Sequence, residues 1–139
     1  MTTDYNKKHH LQLLKERSMG RDVNENQLSH YDRILESQIE WEMRDQYMEL
    51  MEGVLNGNIS GSEFFAELRT KNYSIIDTFE FLVSHQILLS PHKKASKFGE
   101  FLEPINDLLE GEELYLTGDE FKNFIQENFI QIKKYLNEE

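Results

Sequence analysis

The feature that most constrains the fold is an apolar repeat of three and four residues in the first half of the chain. It runs through Leu28, Tyr31, Leu35, Ile39, Met43, Tyr47, Leu50 and Val54. A period near 3.6 residues places such positions on one side of an α-helix. The repeat predicts one long helix, or two helices in series, from about Asn26 to Leu55. The Asn-Gly-Asn stretch at 56–58 ends it, because Gly and Asn accept the left-handed backbone geometry of a helix end.

A strong helix start follows at Ser60. This residue lies three positions before Glu63, which is the spacing of a capping box, and Ile59 and Phe64 occupy the flanking staple positions. The serine hydroxyl can accept a bond from a free N–H of the first turn, and the glutamate can accept one from the cap residue. A helix is therefore expected from about Gly61 to Lys71.

The same arrangement recurs at Thr117 and Glu120, before a last helix that is expected to run to about Leu136. The stretches ISGSEF and LTGDEF match in chemistry, but the sequences around them differ. We interpret them as the same way of starting a helix, and we do not infer an internal duplication.

The residues before Glu63 also have part of the spacing of a calcium loop. With Gly57 at position 6 of an EF-hand loop, Ile59 falls at position 8 and Glu63 at position 12, as the motif requires. Position 3 would then be Val54, whose side chain has no oxygen to coordinate a hard cation. The capped turn is the preferred interpretation, and no metal site is predicted.

The middle of the chain continues the helical pattern. Residues 74–89 are apolar on several sides, with Ile76, Phe79 and Val83 on one face, so we expect this segment to be a central helix, with a strand as the less favoured alternative. Ser90-Pro91 predicts the next helix start, since proline is tolerated in a first turn. The apolar stripe of that helix is Ala95, Phe98, Leu102, Ile105 and Leu109.

Pro104 lies inside this stripe and is expected to kink or break the helix, because it removes one backbone bond. Gly111 is expected to end it. The whole pattern predicts an all-α fold, an antiparallel bundle of four to five helices with a long N-terminal helix. Residues 1–23 are mostly polar and are predicted to be a mobile arm or one weak helix. Residues 24–139 are predicted to form a single bundle domain.

The charge of the chain is strongly negative and unevenly placed. The net charge is −11, and residues 98–120 contain eight acidic side chains and no basic one. Such a balance argues against direct binding of nucleic acid, which needs clustered Lys and Arg. No stretch approaches the roughly 20 apolar residues of a membrane span, and the N-terminus lacks the apolar core of a secretory signal. With no cysteine in the chain, a cytoplasmic location is expected.

Four of the acids in residues 98–120 have helical spacing. Glu100, Glu103, Asp107 and Glu110 step by three, four and three residues, so a helix would place them on one face, opposite the apolar stripe. One interpretation is a solvated surface. The other is a docking face for a basic partner.

No catalytic arrangement is apparent. The five histidines lack metal-ligand spacing, there is no nucleophile elbow, and there is no glycine-rich phosphate loop. Glu36 and Glu40 lie one helical turn apart but are interpreted as part of a hydrated face. We therefore predict neither an enzyme nor a cofactor.

From about residue 47 to the C-terminus the chain resembles the bacteriocin self-immunity proteins of the colicin D type. The features are the ISGSEFFAEL helix start, the LLSPHKKASKFGEFLEPINDLLEG segment with its acidic centre, and the closing YLTGDEFKNFIQENFIQIKKYL helix. The first 45 or so residues and the TKNYSIIDTFEFLVSHQ segment depart from that family's pattern.

This resemblance implies an acidic helical bundle that covers the basic, tRNA-binding cleft of a nuclease toxin, with carboxylates in place of RNA phosphates. The implied contact residues are Glu100, Glu103, Asp107, Glu110, Glu112 and Glu113. An alternative remains: a non-catalytic accessory subunit of a bacterial or organellar complex, located in the plastid stroma or mitochondrial matrix if organelle-encoded, that docks through its long N-terminal helix.

Overall fold

The computed structural model describes residues 5–110 and 118–138, and those residues form six α-helices and no strand. The helices are α1 (Lys7–Ser18), α2 (Glu25–Glu42), α3 (Arg44–Leu55), α4 (Gly61–Ser84), α5 (Ala95–Asp107) and α6 (Gly118–Asn137). A short 3-10 helix, Leu108–Glu110, follows α5 directly. The all-α class predicted from the apolar period is confirmed.

The predicted count of four to five helices and the predicted long N-terminal helix are wrong. The repeat from 28 to 54 is divided between α2 and α3, which meet at Met43. Arg44 donates to the carbonyl oxygen of Trp41 at 2.9 Å, so its side chain bonds a carbonyl at the end of α2. The break lets the two helices take different neighbours, because α2 packs on α5 whereas α3 packs on α6.

Helices α2 and α5 run in opposite directions. Arg33, near the middle of α2, reaches Glu103 late in α5, where Nη2 and Oε2 are 3.7 Å apart. Trp41, near the end of α2, meets Phe98 early in α5, with ring centroids 5.7 Å apart. These contacts at two points along the helices fix α5 against α2.

Residues 1–23, predicted to be a mobile arm or one weak helix, contain α1. Leu13 and Leu14 of α1 are 7% and 9% exposed, and they join a buried cluster with Leu28 and Leu35 of α2. Two apolar side chains of this segment therefore reach a core. The boundary between an arm and a bundle domain at residue 24 stays a prediction.

A polar contact also joins α1 to α2. His10 is fully buried, and its Nε2 lies 3.0 Å from a carboxylate oxygen of Asp32. With that nitrogen protonated toward the carboxylate, Nδ1 accepts from the hydroxyl of Tyr5 at 2.8 Å. Burial, Asp32 and Tyr31 raise the pKa of Tyr5 to about 12, so its hydroxyl stays a donor at neutral pH.

The core of the described residues has two parts. The larger part joins α3, α5, α6 and the first half of α4, and Phe64, Phe98 and Ile125 are fully buried there. The smaller part joins α1, the first half of α2 and the second half of α4, together with Leu88. Helix α2 contributes to both, because its last turn places Trp41 in the larger part.

Helix α4 differs from the prediction in length and in placement. It is continuous for 24 residues, where a helix to Lys71 and a separate central segment were expected. Its buried side is Phe64, Leu68 and Ile75, whereas Ile76 is 46% exposed. The second half of α4 is therefore peripheral, because only one side of it has a neighbouring helix to pack on.

Helix α5 starts later than predicted and is not broken. It begins at Ala95, four residues beyond Pro91, and it continues through Pro104 to Asp107. The preceding segment is held elsewhere, since the backbone N–H of His92 donates to the side-chain oxygen of Gln38 at 2.6 Å. Proline within α5 removes one backbone donor but leaves the helix bounds intact.

The predicted capping box at Ser60 is confirmed. The hydroxyl of Ser60 accepts from the N–H of Glu63 at 3.1 Å, and the Glu63 carboxylate accepts from the N–H of Ser60 at 2.8 Å. Glu63, which would be the last ligand of a calcium loop, is thus bonded to backbone. The second predicted box includes Thr117, which lies outside the described residues.

Substituting Ser60→Ala is expected to lower the free energy of unfolding by about 1 kcal/mol, because one N–H of the first turn loses its acceptor. The measurement is urea denaturation, with Ser62→Ala as the matched control in the same turn. Ser62 is exposed and is not the cap, so that change is expected to stay within about 0.5 kcal/mol of the wild type. Equal losses from both variants would contradict the capping assignment.

Candidate functional site

The predicted acidic residues lie on the exposed side of α5 and of the 3-10 helix that follows it. Glu100, Glu103, Asp107 and Glu110 are all exposed. The opposite side of the helix is buried in the larger core through Phe98, Leu102 and Ile105. Glu112 and Glu113, the other two predicted contact residues, lie outside the described residues. We call the four exposed acids the acidic face.

The four acids differ in their partners. Glu100 faces Lys97 at 3.9 Å, one turn earlier on α5, and Glu103 faces Arg33 of α2. Asp107 and Glu110 form no ion pair with any residue in the part of the chain that the structure describes. The least compensated negative charge of the face therefore lies at its C-terminal end.

Arg33 is the centre of a charged cluster that joins the face to α2. Its guanidinium lies 3.4 Å from Glu40, 4.0 Å from Glu36 and 3.7 Å from Glu103. One cation thus serves three carboxylates. We call these four residues the Arg33 cluster.

Glu40 is the buried member of the Arg33 cluster and was missed by the sequence interpretation, which placed it on a hydrated face. It is only 5% exposed. Burial raises its pKa to about 7, against the opposing effect of Arg33. The carboxylate has room because the residue opposite it on α5 is Gly99, which has no side chain. A Cβ atom at that position would lie 3.0 Å from Glu40 Oε1 and 2.5 Å from the hydroxyl oxygen of Ser37.

The sequence carried a weak signal for this arrangement. Arg33, Ser37 and Glu40 are spaced by four and three residues, so they share one side of α2. Two charged residues with a small polar residue between them on one side of a helix indicate a polar contact with a neighbouring helix of the chain. The partner itself, Gly99, is far away in sequence and has no local mark that distinguishes it from other glycines.

Two other kinds of feature are absent from the described residues. Within residues 5–110 and 118–138, no group of three or more His, Asp or Glu side chains is placed to hold a metal ion. No helix of the same ranges combines the length and apolar character needed to cross a membrane.

Comparison with known proteins leaves the function to be argued from the chain itself. No family model matches the sequence, and no curated protein or solved structure matches it.

Proposed function

We propose that this chain is a non-catalytic binding protein whose acidic face docks on a basic surface of a protein partner. The observation that carries this proposal is the sidedness of α5 and of the 3-10 helix after it: four exposed carboxylates lie opposite the buried side chains of Phe98, Leu102 and Ile105. Because the stripe is held in the core, the carboxylates point outward without a rearrangement. A docking face that is arranged before binding loses less conformational entropy on association.

The more specific proposal is an immunity-type inhibitor that masks the nucleic-acid-binding cleft of a nuclease toxin in the cytoplasm. Two features support it: the net charge of −11, and a row of acids three or four residues apart on one helix face. Side chains at this spacing are neighbours with about 5–6 Å between Cβ atoms, so together they present a line of anions. Such a line can occupy a groove whose Lys and Arg side chains bind phosphates.

The alternative is an accessory subunit of a bacterial or organellar complex. This proposal relied on docking through a long N-terminal helix, but that helix is divided at Met43. The apolar positions Leu28, Leu35 and Ile39 of α2 are buried within the chain and leave little apolar surface for a second partner. The acidic face therefore has more support as the docking element.

A double charge reversal tests the proposal. Asp107→Lys with Glu110→Lys is expected to slow association with the partner on the order of tenfold, because both acids are exposed and outside any described ion pair. Glu103 is left unchanged, since its loss would disturb the Arg33 cluster. The partner is first recovered with the wild-type chain from the source cells, and association rates are then measured at several salt concentrations.

The matched control is Asp77→Lys with Glu80→Lys, which makes the same change in charge at exposed positions of α4. This control is expected to keep most of the wild-type rate. Equal slowing by both double variants, or association that does not depend on salt, would refute a specific acidic face. Inhibition of a nuclease activity in the recovered partner separates the immunity proposal from the accessory-subunit proposal.

A further inference from the structure

A groove of about 740 Å³ lies apart from the acidic face. It is bounded by α3, by the segment just before α5 and by the last turns of α6. Met48, Phe129 and Leu136 are half-buried and give it an apolar floor, with Trp41 at the base. Its size is within the range of roughly 300–1,000 Å³ that is usual for ligand pockets.

The base of the groove is held in place by contacts of Trp41. The His92 ring stacks on the indole with centroids 4.5 Å apart, and the Arg44 guanidinium lies 4.2 Å from the indole centroid. The backbone bond from His92 to Gln38 fixes the segment that carries the imidazole. Trp41 is 8% exposed, so it supports the floor and belongs to the core at the same time.

One side of the groove is acidic. Asp45, Glu49 and Glu52 of α3 line it, and all three are exposed. Their spacing of four and three residues aligns them along one side of the helix, over a length of about 10 Å. We call these residues the acidic wall.

The other side is basic. Lys93 and Lys133 line it and are exposed, and we call these two the basic wall. Lys94 has a different role, because its ammonium group donates to the carbonyl oxygens of Tyr135 and Glu138 at the end of α6. Desolvation and the nearby cations lower the pKa of His92, so it adds little positive charge at neutral pH.

The two walls do not neutralise each other. None of their five side chains forms an ion pair with another residue among those that the structure describes. A ligand of uniform charge would be attracted by one wall and repelled by the other. A ligand with positive charge along one flank and negative charge along the other would match both walls.

We propose that this groove binds an amphipathic helical segment of a protein partner. Apolar side chains of that segment would lie on Met48, Phe129 and Leu136, its basic flank would face the acidic wall, and its acidic flank would face the basic wall. Docking of one helix face in an apolar groove is a common mode of peptide recognition. The length of the acidic wall corresponds to about two turns of such a helix. The inference uses none of the residues of the acidic face, so the two can fail independently.

A displayed peptide library tests the inference with the full chain as target. Each peptide is a helix of about 14 residues with fixed leucines on one side and with Glu, Lys, Gln or Ala varied on both flanks. Selection is expected to enrich peptides that have acids on one flank and bases on the other. Either assignment of the flanks is acceptable, because reversing the direction of the helix exchanges them.

Charge reversal of the basic wall tests its contribution to binding, and an equal charge reversal outside the groove is the control. Lys93→Glu with Lys133→Glu is expected to weaken the selected peptides by about tenfold or more. Lys8→Glu with Lys122→Glu changes the charge equally at exposed positions outside the groove and is expected to leave affinity within about twofold. Thermal melting of both variants checks that each is folded.

Trp41 is the only tryptophan, so its fluorescence reports occupancy of the groove when the peptide has none. Binding is expected to change its emission, because the indole lies at the base of the groove. The inference is overturned if no peptide is enriched, if the enriched peptides have flanks of one charge, or if binding leaves the fluorescence of Trp41 unchanged.

Discussion

Removal of residues 1–18 is expected to lower the free energy of unfolding by about 3 kcal/mol or more. Helix α1 buries Leu13 and Leu14 against α2, and it also buries the imidazole of His10. Without α1, the apolar surface of Leu28 and Leu35 meets water. Since a domain of this size has a total stability of only about 5–15 kcal/mol, the loss is expected to be a large fraction of it.

Single substitutions show whether the loss of stability comes from the packing of α1 or from shortening of the chain. Leu13→Ala is expected to lower the free energy of unfolding by about 2–4 kcal/mol, because it leaves a cavity in the smaller part of the core. Met19→Ala, in the same segment but 60% exposed, is the matched control and is expected to change it by less than about 0.5 kcal/mol. Urea denaturation measures both. A truncated chain that unfolds at the same urea concentration as the full chain would support the predicted mobile arm and contradict a packed α1.

The second large effect is expected at Glu40. Burial raises its pKa from an ordinary 4.5 to about 7 in the folded state. Between those values the folded chain holds a proton that the unfolded chain releases, so stability falls as pH rises from about 4.5 to 7. Linkage gives a total loss of about 3 kcal/mol from this group, with no further loss above pH 7.

Other charged groups near Glu40 also affect the pH dependence of stability, so the wild-type curve needs a control variant. Arg33 favours the ionised carboxylate, whereas Glu36 and Glu103 disfavour it, and Tyr47 stays neutral because burial raises the pKa of its hydroxyl. The pKa of Glu36 is raised as well, so the wild-type curve contains more than one contribution of the same sign. Comparison with Glu40→Gln isolates the part that belongs to Glu40.

Glu40→Gln is expected to be more stable than the wild type at pH 8 and to lose most of the decline between pH 5 and pH 7. The amide still offers an oxygen to Arg33 and has no charge to desolvate. Glu127→Gln, at an exposed position of α6, is the matched control and is expected to follow the wild-type curve. A Glu40→Gln curve that parallels the wild type would show that the carboxyl is hydrated in solution.

The acidic face illustrates which features of a site are readable from sequence. The spacing of Glu100, Glu103 and Asp107 against an apolar stripe depends only on the 3.6-residue period, and the structure places these acids in solvent with the stripe buried. Glu40 has similar local surroundings, yet it is buried. Its burial depends on Gly99, which belongs to another helix, so no local pattern could reveal it.

The groove beside Trp41 also depends on other helices, so the sequence did not predict it. A single tryptophan at the edge of an apolar repeat fits an anchor of a core and an anchor of an interface equally well, so the sequence does not decide the role of Trp41. Its surroundings include His92 and Phe129, which lie far from it along the chain. A groove between helices depends on how far apart those helices lie. The spacing of residues within one helix gives no information about that distance.

The sequence by itself determined the all-α class and the start of α4 at Ser60. Both follow from local physics, since the helical period and the capping bonds of Ser60 and Glu63 act over three or four residues. Only the tertiary structure decided that the apolar repeat breaks at Met43, that α1 is packed, and that the second half of α4 is peripheral. Each of these depends on which surfaces are available for burial, because the apolar area removed from water depends on neighbours that lie far away along the chain.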